Sequence, residues 1–114
     1  MTLQELETVL KEAGIPVAHY EIVKTDPPYI VWQEITTTDK WASGETYEEQ
    51  IGVEIVHFTK KAFCPSLKRL KDVLRKKKIG FKIAHGFDTE DKIIINQFTV
   101  TITDTVEVET EVDI

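Results

Sequence analysis

The chain has 114 residues, of which 41% are hydrophobic and 30% charged, values that are ordinary for one globular domain. No apolar run approaches the roughly 18 residues of a membrane helix, and the first residues lack the basic and apolar regions of a signal peptide. We therefore expect neither a membrane span nor a secretory leader. The single cysteine, Cys64, excludes an internal disulfide and fits a reducing compartment such as a cytoplasm.

Charge is distributed unevenly along the chain. The net charge is −6, yet residues 60–78 contain nine basic residues and one acid, whereas the rest of the chain contains five basic and nineteen acidic residues. Such an asymmetry favours an oriented partner, or association between copies that bring a basic surface to an acidic one.

The first predicted element is a helix over residues 2–13. Thr2 and Glu5 have the spacing of a capping box, and the apolar residues that follow recur at helical intervals. Gly14 is a natural residue to end the helix, and Pro16 prevents its continuation.

A short extended segment comes next, followed by two strands with a long connection. Residues 15–23 are predicted as a short strand or an extended segment, and 29–35 and 50–59 as an antiparallel pair. The polar residues between that pair, 36–49, are predicted as a loop or a mobile hairpin arm. Trp41 and Tyr47 lie in this arm, where they either anchor an interface or fold back onto the sheet.

The second half begins with a helix that opens at Pro65 or Ser66 and ends near Lys78, with cations in its last turn. Residues 81–85 are predicted as a strand, 86–91 as a turn, and 92 onward as one long strand or two strands that continue past a bend. From residue 94 the even positions are mostly apolar and the odd ones polar, so the even side should face the core. The acidic end, 107–114, is predicted as a solvated tail.

These elements predict a single α+β domain over residues 1–114. Its two helices are expected to pack on one face of a mainly antiparallel sheet, in the order α-β-β-α-β-β.

The sequence offers little for catalysis. His19, His57 and His85 are scattered without metal-ligand spacing, and each is expected to be a partly exposed strand residue. Cys64 lies among lysines at a helix entrance, but a Cys-His nucleophile would need a histidine close to it in the fold. We therefore expect a protein that is not an enzyme, with no catalytic, cofactor or metal site.

The basic second helix is a stronger candidate for a functional site than the histidines or Cys64. Its exposed side is predicted to carry five cations, Lys68, Arg69, Lys71, Arg75 and Lys76. Such a face could bind phosphates, a protein partner or another subunit, or it could be a solvated surface. The acidic remainder of the chain would repel a long nucleic acid, which favours a protein or subunit interface.

Several segments, which together extend over nearly the whole chain, are similar in sequence to one known family. They are the opening helix with Gly14-Ile15-Pro16-Val17-Ala18-His19-Tyr20, then Pro27-Pro28-Tyr29-Ile30-Val31, Glu45-Thr46-Tyr47, the strand 51–58 with Thr59-Lys60-Lys61, the helix ending Lys78-Ile79-Gly80-Phe81, and the final strand. In these segments the chain resembles small proteins from the head–tail joining region of tailed bacteriophages and prophages. It is similar to their tail completion, or tail terminator, proteins. Its second helix departs from the family pattern, because it is basic and follows Cys64-Pro65 where the family has an acidic helix after Asp-Pro.

The resemblance implies a structural virion subunit, assembled in the cytoplasm of a bacterial host and located at the tail or neck. Such subunits form a ring, typically hexameric, that terminates the tail tube and joins it to the head connector or adaptor. The expected partners are therefore other copies, the tail tube protein and the connector, with no membrane and no specific DNA binding. In this setting the basic helix and the arm would be interfaces, while Glu107 and Glu109 would line a channel through which DNA passes. The alternative is a module that binds nucleic acid or a host factor through residues 66–78.

Overall fold

The computed structural model of the protein describes residues 1–21, 25–43 and 46–107. In chain order the elements are α1 (Leu3–Lys11), β1 (Val17–His19), β2 (Tyr29–Ser43), β3 (Thr46–Thr59), α2 (Pro65–Lys76), β4 (Phe81–Asp88) and β5 (Ile93–Glu107). The five strands form one sheet in the order β1-β2-β3-β5-β4.

The predicted α+β class, with two helices and a mainly antiparallel sheet, is confirmed. The predicted order α-β-β-α-β-β is one strand short, because residues 17–19 form β1. This strand pairs in parallel with β2, with Val17 opposite Ile30, whereas the other three strand pairs are antiparallel. The prediction for residues 15–23 left a short strand and an extended segment both open, because three residues are too few for a periodic pattern to decide between them.

The first helix forms as its capping signals predict. Thr2 Oγ1 accepts a hydrogen bond from the Glu5 backbone amide at 3.1 Å, which satisfies one of the unpaired donors of the first turn. Gly14 has a φ of +78°, the left-handed backbone that favours glycine after a helix. The regular helix ends at Lys11, slightly earlier than predicted.

The core lies between the two helices and one face of the sheet. In β5 the even-numbered residues face this core, as predicted, and Phe98, Val100 and Ile102 are at most 3% exposed. Both helices contribute to the same hydrophobic cluster as this face, whose buried members are Leu6, Leu10, Ala13, Ile30, Trp32, Ile51, Val53, Ile55, Leu70, Leu74, Ile79, Phe98, Val100 and Ile102. Burial of these side chains is the main favourable contribution to folding.

The opposite face of the sheet, which we call the open face, is less covered. Val31 of β2 is paired with Val56 of β3, and both side chains are only half-buried. The neighbouring Tyr29 and Phe58 rings stack with their centroids 4.9 Å apart. This face therefore presents apolar side chains that the helices do not cover.

The described parts of the segment 36–49, residues 36–43 and 46–49, lie in strands. β2 continues to Ser43 and β3 begins at Thr46, so the two strands form a long ribbon in which Trp41 is opposite Tyr47. β5 extends along this ribbon and pairs Thr46 with Glu107. Residues 36–43 and 46–49 therefore belong to strands, as in the hairpin alternative, and the mobility of this arm stays a prediction. Threonines and charged residues can form such a ribbon without the apolar alternation of a core strand.

The remaining connections are short. α2 ends at Lys76, and the Ile79 amide then donates to the Leu74 carbonyl at 2.9 Å. β4 continues to Asp88, beyond its predicted end, and the Asp88 carboxylate accepts the Glu90 amide at 2.9 Å in the turn to β5. β5 is one strand, without a break near Asp104.

Candidate functional site

The connection from β3 to α2 presents an aromatic side chain to solvent. Thr59 Oγ1 accepts the Lys61 backbone amide at 3.1 Å, which turns the chain at the end of β3. Phe63 then has a φ of +56° and is 99% exposed. Left-handed backbone is unfavourable for a bulky residue, and exposure of a whole phenyl ring is unfavourable as well. Two such costs at one residue indicate a side chain available to a partner.

The start of α2 fixes the position of this loop. Cys64 is the N-cap residue, and Pro65 occupies the first helical turn, where its missing amide hydrogen costs nothing. Leu70 and Leu74 anchor the helix in the core with no exposed surface. The opposite side of the helix therefore points to solvent beside Phe63.

A groove of about 560 Å³ runs along that outer side of α2. We call it the basic groove; its lining residues are Phe63, Cys64, Pro65, Leu67, Lys68, Lys71 and Arg75. The three cations lie at helical spacings of three and four residues, which places them on one side of the helix. Among the described residues, neither Lys68 nor Lys71 belongs to an ion pair. The groove thus combines an apolar floor with unpaired positive charge.

The five predicted cations of α2 have different surroundings. The Arg69 side chain donates through Nε to the Ala13 carbonyl at 2.9 Å, which links α2 to the end of α1. The Arg75 guanidinium lies 5.4 Å from the centre of the Phe81 ring. Lys68 and Lys76 are exposed, and Lys71 is half-buried. Two of the five cations therefore already have contacts within the monomer.

The inner side of the α2 entrance carries a chain of hydrogen-bonded polar groups, which begins at the exposed His85 and continues through the buried Asn96, His57 and Ser66. His85 Nδ1 donates to Asn96 Oδ1 at 2.7 Å, and Asn96 Nδ2 donates to His57 Nδ1 at 3.2 Å. His57 Nε2 then donates to Ser66 Oγ at 2.8 Å, and Ser66 Oγ lies 3.0 Å from Cys64 Sγ. The chain satisfies polar side chains that would otherwise be costly to bury.

Burial affects the pKa values of the titratable groups in this hydrogen-bond network. Loss of hydration lowers the pKa of His57 to about 4, so that the imidazole is neutral at pH 7. His57 is fully buried, which corrects the prediction that all three histidines are partly exposed. Burial raises the pKa of the Cys64 thiol, but hydrogen bonds involving Ser66, Thr59 and the Leu67 backbone outweigh it and hold that pKa below its usual value.

A Cys-His nucleophile is not formed directly at this place. The Cys64 thiol and the His57 imidazole both hydrogen-bond to Ser66 Oγ, which lies between them. Cys64 is 8% exposed and forms part of the groove wall. These hydrogen-bonded side chains are therefore best described as a polar network beneath the basic groove.

A second, smaller recess lies on the open face. It has a volume of about 280 Å³ and is lined by Glu21, Tyr29, Val31, Gln33, Glu54, Val56 and Phe58. Glu54 accepts a hydrogen bond from Gln97 Nε2 at 2.8 Å, which orients its carboxylate at the rim. We call this the acidic recess, since its floor is apolar and its charged residues are both glutamates.

A polar cluster also lies at the β1 edge of the sheet. His19 Nε2 is hydrogen-bonded to Glu34, and the Tyr20 hydroxyl donates to the same carboxylate at 3.1 Å. The His19 ring stacks on Trp32 with the centroids 3.9 Å apart. These contacts fasten the short parallel strand to β2.

The other predicted site residues lie at the far end of the ribbon. Trp41 and Tyr47 are opposite each other in β2 and β3, and their side chains are outside the described part of the structure. Glu107 is the last residue of β5, and Glu109 lies outside the described residues, as does most of the predicted acidic tail. The structure thus leaves the channel-lining prediction as a prediction.

Sequence reasoning missed Phe63 and the acidic recess. An isolated phenylalanine between lysines and a proline resembles a core anchor, and a left-handed backbone is not expected for a residue other than glycine. One weak signal for the recess was present in the sequence. Val56 and Phe58 are apolar, yet they lie on the opposite side of β3 from the core residues Ile51, Val53 and Ile55.

No protein-family model matches the chain, and no curated protein matches it. Over the described ranges, neither helix is long and apolar enough to cross a membrane. In the same part of the chain, no group of three or more His, Cys, Asp or Glu side chains is placed to hold a metal ion. The family resemblance seen in the sequence therefore stays a prediction.

Proposed function

We propose that this protein is a structural subunit of a tailed phage or prophage virion. It forms a ring at the end of the tail, terminates the tail tube and joins it to the head connector. The resemblance over nearly the full chain supports this function, as does an α+β fold that presents surfaces suited to contact with other proteins.

The observation that carries the proposal is the presence of two different, chemically complementary surfaces. The basic groove lies on the outer side of α2, which covers the core face of the sheet, and the acidic recess lies on the open face. A ring of identical subunits with head-to-tail contacts requires two such different patches on each copy. A solvated helix face would need neither the exposed Phe63 ring nor a matching recess.

The same geometry favours a protein partner over a nucleic acid. Arg69 is bound to the Ala13 carbonyl and Arg75 lies over Phe81, so two of the cations suited to phosphate binding are held against the protein. An apolar groove with a protruding aromatic is typical of a protein interface, where aromatic residues are enriched.

In the proposed ring, the acidic end of β5 lines the channel. Glu107 lies at the end of that strand, and Glu109 follows it in the sequence. Carboxylates on the channel wall repel phosphates, so DNA would pass without specific binding. The ribbon with Trp41 and Tyr47 would contact the tail tube or the neighbouring subunit.

Deletion of the gene from its phage or prophage tests the proposed function. After induction, electron microscopy should show filled heads separate from tails, and tails of uncontrolled length, because nothing would terminate the tube. A plasmid that supplies the wild-type protein should restore joined particles. Normal infectious particles from the deletion would refute the proposal.

A further inference from the structure

The basic groove and the acidic recess match in three respects. The groove carries a fully exposed phenyl ring, and the recess of about 280 Å³ is large enough to take one. Lys68 and Lys71 line the groove together with this ring, while Glu21 and Glu54 are among the residues that line the recess. Apart from Arg75 in the groove and Gln33 in the recess, the other lining residues are mainly apolar, so the contact would remove hydrophobic surface from water on each side.

We propose that Phe63 of one copy inserts into the acidic recess of the next copy, with Lys68 and Lys71 facing Glu21 and Glu54. The partner is thus a second copy of this chain. The inference rests on the proposed ring, since it names the contact through which neighbouring subunits meet.

The positions of the two sites explain why the contact would be made between copies. Phe63 is 99% exposed, so its ring does not occupy the recess of its own chain. The groove is on the helix side of the sheet and the recess on the open face, so each copy can use both sites with different neighbours. A head-to-tail contact of this kind continues from copy to copy and closes when the rotation between subunits completes a circle.

The charged groups of both sites can still form ion pairs with a neighbouring copy. Lys68 and Lys71 are in no ion pair among the described residues. Glu54 receives Gln97 on one carboxylate oxygen, which leaves the other able to accept an ammonium group. Charge pairs at the rim orient and select the partner, whereas the buried ring supplies most of the affinity.

The first test compares two exposed phenylalanines by sedimentation velocity at low salt. Phe63→Asp should weaken self-association by at least about 30-fold, the loss expected of a hot-spot residue. Phe87→Asp is the matched control, because Phe87 is 60% exposed and lies outside both sites. Circular dichroism and urea unfolding should show that both variants fold like the wild type. Equal association of Phe63→Asp and wild type would overturn the proposal, as would a wild-type protein that stays monomeric at low salt.

A charge exchange then tests which surfaces meet. Lys68→Glu/Lys71→Glu makes the groove acidic, and Glu21→Lys/Glu54→Lys makes the recess basic. Each variant alone should be monomeric, because like charges face each other. An equimolar mixture should assemble, since every reversed groove then meets a reversed recess and every native groove a native one. If Glu54→Lys disturbs folding, Glu21→Lys alone provides the same comparison from an exposed position.

The outcomes separate this contact from the proposed function. A mixture of folded variants that stays monomeric while the wild type assembles would overturn the contact, and the ring could still form through other surfaces. Failure of the proposed function is measured independently, by normal particles after deletion of the gene.

Discussion

The inner and outer sides of α2 differ in how fully their side chains are partnered. On the inner side Leu70 has no exposed surface, and Ser66 is hydrogen-bonded to His57 and to Cys64. On the outer side Phe63 is 99% exposed and Lys68 has no ion pair among the described residues. The monomer therefore satisfies one side of the helix by itself and leaves the other for a partner. Substitutions on the two sides should separate stability from association.

The largest effect on stability is expected on the inner side. Leu70→Ala should lower the free energy of unfolding by about 2–5 kcal/mol, because it removes buried methyl groups and leaves a cavity. Lys68→Ala, two residues away on the outer side, should change it by less than about 0.5 kcal/mol. Urea unfolding of both variants provides the comparison. Similar losses from both would contradict the division between the two sides.

The next effect is a pH dependence from the buried polar chain. The pKa of His57 is lowered from 6.5 in the unfolded chain to about 4 in the folded protein. Between these two pH values the unfolded chain therefore binds a proton that the folded protein does not. The free energy of unfolding contributed by this group is fully present above the unfolded pKa and decreases as pH falls through this range, by up to about 3 kcal/mol.

Urea unfolding at a series of pH values tests this in wild type and in His57→Gln, which keeps an amide for hydrogen bonding but does not titrate. The difference in slope between the two proteins isolates the histidine from the carboxylates that also titrate at low pH. Parallel slopes would show that the imidazole is already protonated or exposed in the folded protein.

A smaller effect distinguishes two adjacent cations. Arg69→Ala should lower the free energy of unfolding by about 1 kcal/mol, because it removes the charged donor to the Ala13 carbonyl at the end of α1. It should leave self-association unchanged, whereas Lys68→Ala should weaken association and leave stability unchanged. The two variants are compared by urea unfolding and by light scattering. Reversed results would exchange the roles assigned to the two residues.

The smallest effect is on the thiol at the boundary between the two sides. Ser66→Ala should raise the pKa of Cys64, because it removes the Ser66 hydroxyl, whose hydrogen bond to the thiol helps to hold that pKa below its usual value. The pH dependence of the thiolate ultraviolet absorbance reports this directly. An unchanged midpoint in the variant would show that the hydrogen bond between Ser66 and Cys64 does not affect the thiol.

Local signals in the sequence predicted much of the fold. The Thr2–Glu5 capping box predicted the start of α1, and the alternation after residue 94 predicted which side of β5 faces the core. Both signals come from neighbours along the chain, and tertiary contacts agree with them. Residues 36–49 were ambiguous because a polar ribbon buries little and has no apolar pattern.

The site was predicted only in part, because its features depend on distant contacts. The cations of α2 are evident from the sequence, but Arg69 bonds to a residue 56 positions away. The buried His57 is hydrogen-bonded to Asn96, which is 39 positions away. The exposure of Phe63 depends on a backbone conformation that its residue type disfavours.

In the proposed assembly, the outer side of α2 contacts the open face of another copy. Zero-length carbodiimide cross-linking tests it on the wild-type protein, with isotope-labelled and unlabelled copies mixed to identify links between molecules. Mass spectrometry should find Lys68 or Lys71 of one copy joined to Glu21 or Glu54 of another. Links from these lysines only to the acidic residues 107–113, or no links between copies, would contradict the account.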